Sequence, residues 1–193
     1  MMEYKYKYED SGSRDLLILV DKKDNILGYE DKEKCHRGKG MLHRAFSIFI
    51  FNSSGRLLLQ ERSAAKPLWP LFWSNSVCSH PRKGEDYLLA AQRRLKEEIG
   101  LETPLHFLFK FQYHAPFKTI GSENELCAVY IGKSDEPVDI NPREIAVCRY
   151  IDLEELEKDI RTRPHVYTPW FKLEWQCIQQ NHKKDIEKLL KNV

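Results

Sequence analysis

No stretch of this chain approaches the roughly 20 consecutive apolar residues that a membrane-spanning helix requires, so a helical integral membrane protein is not expected. Net charge is almost absent: 31 basic and 29 acidic residues leave a formal surplus of +2. That surplus predicts neither a nucleic-acid nor a membrane partner, and leaves room only for a local basic pocket. There is no CxxC pair. The cysteines are Cys35, Cys78, Cys127, Cys148 and Cys177, an odd number in a chain too long to need covalent staples, which predicts free thiols in a reducing compartment. Met1 to Asp10 alternates tyrosine, lysine and acid without an apolar centre, so a secretory leader is not expected and the cytoplasm is the default location. Repeats, low-complexity tracts and linkers are lacking too. The length suits one compact core, read as a single domain over 1–193 with residues 1–13 as an N-terminal extension, and a monomer or weak homodimer.

What is present is a globular composition, 41% apolar and 31% charged. The apolar run Asp15-Leu-Leu-Ile-Leu-Val-Asp21 reads as a strand, hairpinned through Lys22–Asn25 to Ile26–Tyr29. Glu30 to Gly40 is charged and carries two glycines, and reads as a loop. His43–Phe51 and Arg56–Gln60 read as a second hairpin around Asn52–Gly55. Ser63 to Ser74, with two prolines and two tryptophans, reads as a tightly packed irregular loop. Glu85 to Ile99 is the clearest helix: Leu88, Ala91, Leu95 and Ile99 share a face, and Gly100 is placed as a left-handed cap. Leu105–His114, Glu125–Ile131 and Ile145–Ile151 read as strands, Leu153–Ile160 and Trp170–Leu190 as helices, the latter broken near Asn181. The pattern predicts an α/β fold in which a mixed sheet is flanked by helices.

Arg94, Glu97 and Glu98 recur at spacings of three and four on the central helix and project together. They form either a solvated face with ion pairs or a carboxylate cluster that holds a hard cation against phosphate oxygens. The frame is informative. Ser79-x5-Glu85-x7-Arg93-Arg94-Leu95-Lys96-Glu97-Glu98-Ile99-Gly100-Leu101 resembles the Nudix box, a loop–helix–loop that binds diphosphates through divalent metal on an α/β/α sandwich. Two departures stand out: Ser79 replaces the opening glycine, and Arg94 stands where the family places a metal-binding Glu. A cation there argues against hydrolysis and leaves diphosphate binding intact.

Three of the seven histidines are placed suggestively, His36 and His43 around a glycine-containing loop and His80 two residues after Cys78. Glu123 and Glu125, two apart on a strand, point to one sheet face, where paired carboxylates repel unless a cation or a proton intervenes. Such donors suit a first-row divalent ion, and softness does not choose between zinc and manganese. Taken singly, each His reads as a surface or hydrogen-bonded residue.

The segment Ser74-Asn75-Ser76-Val77-Cys78-Ser79-His80-Pro81 is very similar to the (T/S)NS-x-C-x-HP signature of type I isopentenyl-diphosphate isomerases, and Glu123-Asn124-Glu125-Leu126-Cys127 to their second signature. The likeness runs from about Asp15 to Trp175 and includes Lys32, His36, Leu42–Ser47, Arg62, Lys66, Trp69, Pro70, Tyr113 and Thr168–Trp170. It implies a Nudix-type isomerase domain acting on a small isoprenoid diphosphate. It further implies that His36, His43, His80, Glu123 and Glu125 bind one ion, Mn2+ or Zn2+, while Glu98 holds an Mg2+ that arrives with the diphosphate. Lys32, Arg62, Lys66, Ser79 and Arg94 would grip the phosphates, guanidinium in a bidentate way and ammonium as a point charge.

Moving an unactivated double bond requires a proton added at one carbon and removed from another, through a tertiary carbocation shielded from water. Cys78 and Glu125 are the expected proton carriers, their order open, with Tyr113 as a relay to Glu125 and Trp170 offering an indole face to the cation. The unperturbed thiol, near 8.5, is suited to proton exchange. Two rival readings are a Nudix hydrolase and an inactive Nudix-like binding module.

Overall fold

The computed structural model describes residues 16–191; the expected extension over 1–13 lies outside them. In chain order the elements are β1 (Leu16–Val20), β2 (Ile26–Asp31), α1 (Lys32–Cys35), β3 (His43–Phe51), β4 (Leu57–Arg62), β5 (Trp73–Ser74), β6 (Val77–Ser79), α2 (Tyr87–Ile99), β7 (His106–Phe117), β8 (Gly121–Lys133), β9 (Ile145–Ile151), α3 (Leu153–Thr162), α4 (Pro169–Asn181) and α5 (Lys183–Lys191). A 3-10 turn at Pro164–Val166 joins α3 to α4.

β3 is the axis of the sheet. It runs parallel to β8 in register from His43↔Glu125 to Phe51↔Lys133. It also pairs antiparallel with β6 through Phe46↔Ser79, Ser47↔Cys78 and Ile48↔Val77. Being covered on both faces, it is nearly continuously apolar, and the two-residue strand period sorts its side chains into two cores. Phe46, Ile48 and Ile50 meet Ala90, Ala91, Leu95 and Ile99 of α2. Ala45, Phe49 and Phe51 meet Trp170, Phe171, Trp175 and Ile178 of α4. The result is the expected mixed sheet between helices.

Local chemistry sets the boundaries. The Asp21 carboxylate accepts the amides of Lys23 and Asn25 at 2.8 and 2.9 Å and closes the β1–β2 hairpin. Asp86 caps α2 by accepting Leu89 N–H at 2.8 Å, so the helix begins at Tyr87. Gly100 ends it at φ 72°, as its sequence position predicts. The last helix breaks after Asn181, where His182 closes one segment and α5 begins.

Four readings are corrected. The Glu30–Gly40 segment contains the one-turn helix α1. β3 and β4 share the Asn52–Gly55 turn but pair only at Phe51↔Leu57; β4 instead pairs along its length with β9, because β6 and β8 occupy the flanks of β3. β7 and β8 extend to Phe117 and from Gly121, forming one long hairpin. On α2, Leu88 is exposed, and Ala90 and Glu98 are buried instead. The described cysteines are all free, and no helix among the described residues is long and apolar enough to cross a membrane.

Candidate active site

One end of the sheet gathers His43 from β3, Glu123 and Glu125 from β8, His80 just beyond β6 and His36 at the end of α1. One ligand atom from each of the five lies within 4.8 Å of all the others. Backbone carbonyls orient two of the rings. His36 Nδ1–H donates to Lys32 O at 2.6 Å and His43 Nδ1–H to Met41 O at 2.7 Å, which leaves each Nε2 lone pair facing inward. His36 Nε2 stands 2.8 Å from Glu123 Oε2, and His43 Nε2 and His80 Nε2 stand 3.6 and 2.8 Å from Glu125 Oε1. The ring centroids are 4.8 to 5.2 Å apart.

Yet buried His43 Nε2 and Glu123 Oε2 have no hydrogen-bond partner. Buried polar atoms are normally satisfied, so converging lone pairs without protons fit a cation at their centre. Burial first, then the neighbouring His43, Lys32 and His36, hold His80 well below the usual imidazole range, as a neutral ligand requires. Burial resists the ionised form of Glu125, but the neighbouring His43 and the hydrogen bond from Tyr113 outweigh it and lower its pKa.

α1 is set against β8 at Gly121. Ser122 N–H donates to His36 O at 2.9 Å, and a Cβ on Gly121 would strike that same carbonyl. Glycine here lets the backbone approach closely enough to deliver His36.

Around the cluster stand the expected proton carriers. Tyr113 OH donates to Glu125 Oε2, and burial, then the Glu125 charge, holds the phenol well above its usual range. Cys78 is half-buried on β6, with Arg62 Nη1 3.7 Å from its sulfur. Burial pushes its thiol up to about 12, only partly offset by Arg62, so the near-neutral thiol expected from sequence is corrected: desolvation dominates in this pocket. Trp170, 3% exposed, stands edge-on to Trp69 at 5.1 Å and 6.2 Å from Tyr113. The Arg62 guanidinium lies 5.2 Å from its ring, so a cation already sits over this indole. Arg62 also donates to Trp69 O and Leu68 O at 3.0 and 2.9 Å, fixing the proline-rich loop.

The remaining sequence candidates form a charged neighbourhood beside the cluster. Arg94 donates through Nε and Nη2 to Glu98 Oε1 at 2.9 and 2.6 Å, and through Nη1 to Glu97 at 2.9 Å. Glu98 is therefore buried on Arg94 and is not among the five converging residues. Burial raises its pKa against the pull of Arg94 and Lys66. Solvent reaches Lys32, yet the crowd of protein atoms and then the Lys66 charge lower its ammonium, with Arg94, Glu144 and Glu123 also acting on it. Ser79 pairs with Phe46, and the strand period turns its side chain away from the face of Cys78.

Sequence reasoning missed Glu144. It accepts from Arg94 Nη2 at 2.8 Å and from Lys66 Nζ. Burial opposes its charge, but those two cations hold it well below the usual carboxylate range. A lone Glu three residues after Asn141, in the turn before β9, carries no periodic signal.

Comparison with known proteins places this geometry. The NUDIX domain family matches residues 41–171. Isopentenyl-diphosphate Delta-isomerase 1 of Photorhabdus laumondii is 43% identical over 169 residues, 86% of this chain and 96% of that one. Isopentenyl-diphosphate Delta-isomerase 2 of the same organism is 46% identical over 171 residues, with the same coverage. Among solved structures, DR0079 of Deinococcus radiodurans superposes with a TM-score of 0.68 at 26% identity, over 84% of this chain and 98% of that one.

Proposed function

The chain belongs to the NUDIX family and, within it, to the isopentenyl-diphosphate Delta-isomerases, and we propose on that footing that its site interconverts isopentenyl and dimethylallyl diphosphate. The observation that carries the assignment of roles is the convergence of His36, His43, His80, Glu123 and Glu125 beside a Tyr113–Glu125 hydrogen bond and the Cys78 thiol. These five residues would hold a divalent ion, Mn2+ or Zn2+, and Glu98 an Mg2+ that enters with substrate. When bound, these ions supply charge that acidifies the Glu125 carboxyl and neutralises the diphosphate.

Lys32, Arg62, Lys66 and Arg94 grip the phosphates, Lys66 and Arg94 exchanging Glu144 and Glu98 for the incoming anion; the backbone at Ser79 adds a donor. Cys78 and Glu125 flank β3 from β6 and β8, so the five-carbon unit lies between two proton carriers. One adds a proton to the alkene and the other removes one from the carbon beside the cation, with the roles exchanged in the reverse direction. Tyr113 fixes the Glu125 carboxyl and relays its proton. Trp69 walls the pocket against water, and Trp170 offers the tertiary cation the indole face that Arg62 does not cover.

Arg94 counts against the hydrolase reading, because it occupies a carboxylate position of the Nudix box and ties up Glu97 and Glu98. Proton NMR of purified enzyme with isopentenyl diphosphate and Mg2+, read beside the phosphorus-31 spectrum of the same sample, separates the two. Appearance of dimethylallyl diphosphate in the proton spectrum without inorganic phosphate in the phosphorus spectrum supports the isomerase; phosphate release without isomer overturns it.

A further inference from the structure

Glu174 plays no part in the reaction as described, yet it is completely buried. It lies one helical turn after Trp170 on α4, on the same face. Its Oε1 is 3.5 Å from Cys127 Sγ, which stands 3.6 Å from Ser47 Oγ; its Oε2 has no hydrogen-bond partner. These neighbours border both proton carriers. Ser47 is directly across from Cys78 in the β3–β6 pairing, and Cys127 follows Glu125 by two residues on the same face of β8.

The groups acting on Glu174 are Ser47 from β3, Cys127 and Glu125 from β8, and Cys78 from β6. None is a cation, and no ion pair is found for Glu174 among the described residues. A carboxyl buried among a hydroxyl and thiols, without a counter-ion, is stable only in its neutral form.

Resting on the isomerase reading, we propose that Glu174 is a positioning residue that, as a neutral acid, ties α4 and its Trp170 to the strands that carry Cys78 and Glu125. Ionisation would put an unpaired charge in the core and drive α4 outward toward water, unseating the indole from the pocket. Burial, resisted by the neighbouring Ser47 hydroxyl and Cys127 thiol, pushes this carboxyl up to about 8. The tie therefore holds below that pH and is lost as pH rises through it.

The test compares metal-loaded wild type with Glu174→Gln and Glu174→Leu, following isomerisation and tryptophan fluorescence from about pH 6 to about pH 10, on either side of the carboxyl's midpoint. Gln keeps the hydrogen bonds and never ionises. Wild-type kcat is expected to fall about tenfold per pH unit past its midpoint, with a fluorescence transition at the same midpoint. Glu174→Gln should work at neutral pH and lack both transitions. Glu174→Leu should lose kcat about 10- to 100-fold with KM little changed, as misplacement rather than lost binding predicts. Identical midpoints in wild type and Glu174→Gln, or full kcat in Glu174→Leu, would overturn the proposal. Were the isomerase reading wrong, all three proteins would lack isomerisation, while the fluorescence titration would still separate Glu174 from Gln.

Discussion

At the scale of single residues, Cys78 illustrates how environment remakes a side chain. In water its thiol would exchange protons near neutrality; on β6 burial holds it protonated despite the nearby guanidinium of Arg62. It contributes little packing, because it is small and half-buried. Cys78→Ala is therefore expected to fold, retain its metal and bind the diphosphate, while kcat falls at least about 10²–10⁴-fold, the range assigned to one positioned acid or base. Cys78→Ser keeps the volume but raises the pKa of the group and should be nearly as slow. In deuterated water the wild type should place label in its product and Cys78→Ala should leave the substrate unlabelled; near-normal turnover in Cys78→Ala would make Cys78 a packing residue. The identity of this residue was legible in the sequence through its flanking Asn75, Ser76 and His80. Its raised pKa was not, because desolvation depends on what α4 and the Leu68–Trp69 loop bring over it.

Glu144 and Glu174 mark the same limit from the other side. Neither sits in a periodic pattern or a recognisable spacing, and each acquires meaning only from partners 47 to 78 positions away in the chain, as with Lys66 and Arg94 for Glu144 and Cys127 for Glu174. Hydrophobic periodicity cannot report such contacts, since it registers only which face is apolar.

At the scale of elements, β1, β2, α2 and the α4–α5 break were readable because turn and cap signals fix them locally, even where, as along β2, the side chains are mostly exposed. The β3–β4 hairpin was not, since its turn chemistry is local while the choice of β9 as partner for β4 is made by β6 and β8 crowding β3. Helix α1 escaped for a related reason: four residues cannot show helical periodicity, and its seat against β8 depends on Gly121. That seat is testable without touching a ligand. Gly121→Ala places a methyl group against His36 O, a backbone atom that must move with α1. We expect reduced metal content by elemental analysis and a weakened Ser122–His36 hydrogen bond, with all five donors still encoded. Unchanged metal content would show that α1 adapts without losing His36. Arg62 works at this scale too. Arg62→Ala removes two bonds to the carbonyls of Leu68 and Trp69, each of order 1.5–3 kcal/mol as a charged hydrogen bond. It should therefore increase proteolysis in the loop as well as weaken diphosphate binding. Weakened binding alone would confine Arg62 to the phosphates.

At the scale of the whole molecule, the five-residue cluster joins α1, β3, the segment after β6, and β8, so whatever satisfies it ties the architecture together. Without a cation, Glu123 and Glu125 lie buried at 7% and 6% exposure with like charges facing one another. With one, three imidazoles and two carboxylates gain a common partner, and binding free energy becomes folding free energy. A ligand held by the native state alone, at 100 times its dissociation constant, adds about 2.7 kcal/mol of stability. For a domain of this length, 1 kcal/mol corresponds to about 2–4 °C in Tm. Stripping the wild type with a chelator should therefore lower Tm by about 5–10 °C, and adding back Mn2+ or Zn2+ should restore it. His80→Ala should show less metal and a smaller chelator response, because one neutral donor has gone while both carboxylates remain. Turnover should track metal content in both proteins. Mg2+ should fail to restore Tm, since imidazole donors favour the softer ions, yet remain necessary for turnover through the diphosphate. If the chelator left Tm and metal content unchanged and His80→Ala retained full activity, the five residues would be a hydrogen-bonded cluster and not a metal site.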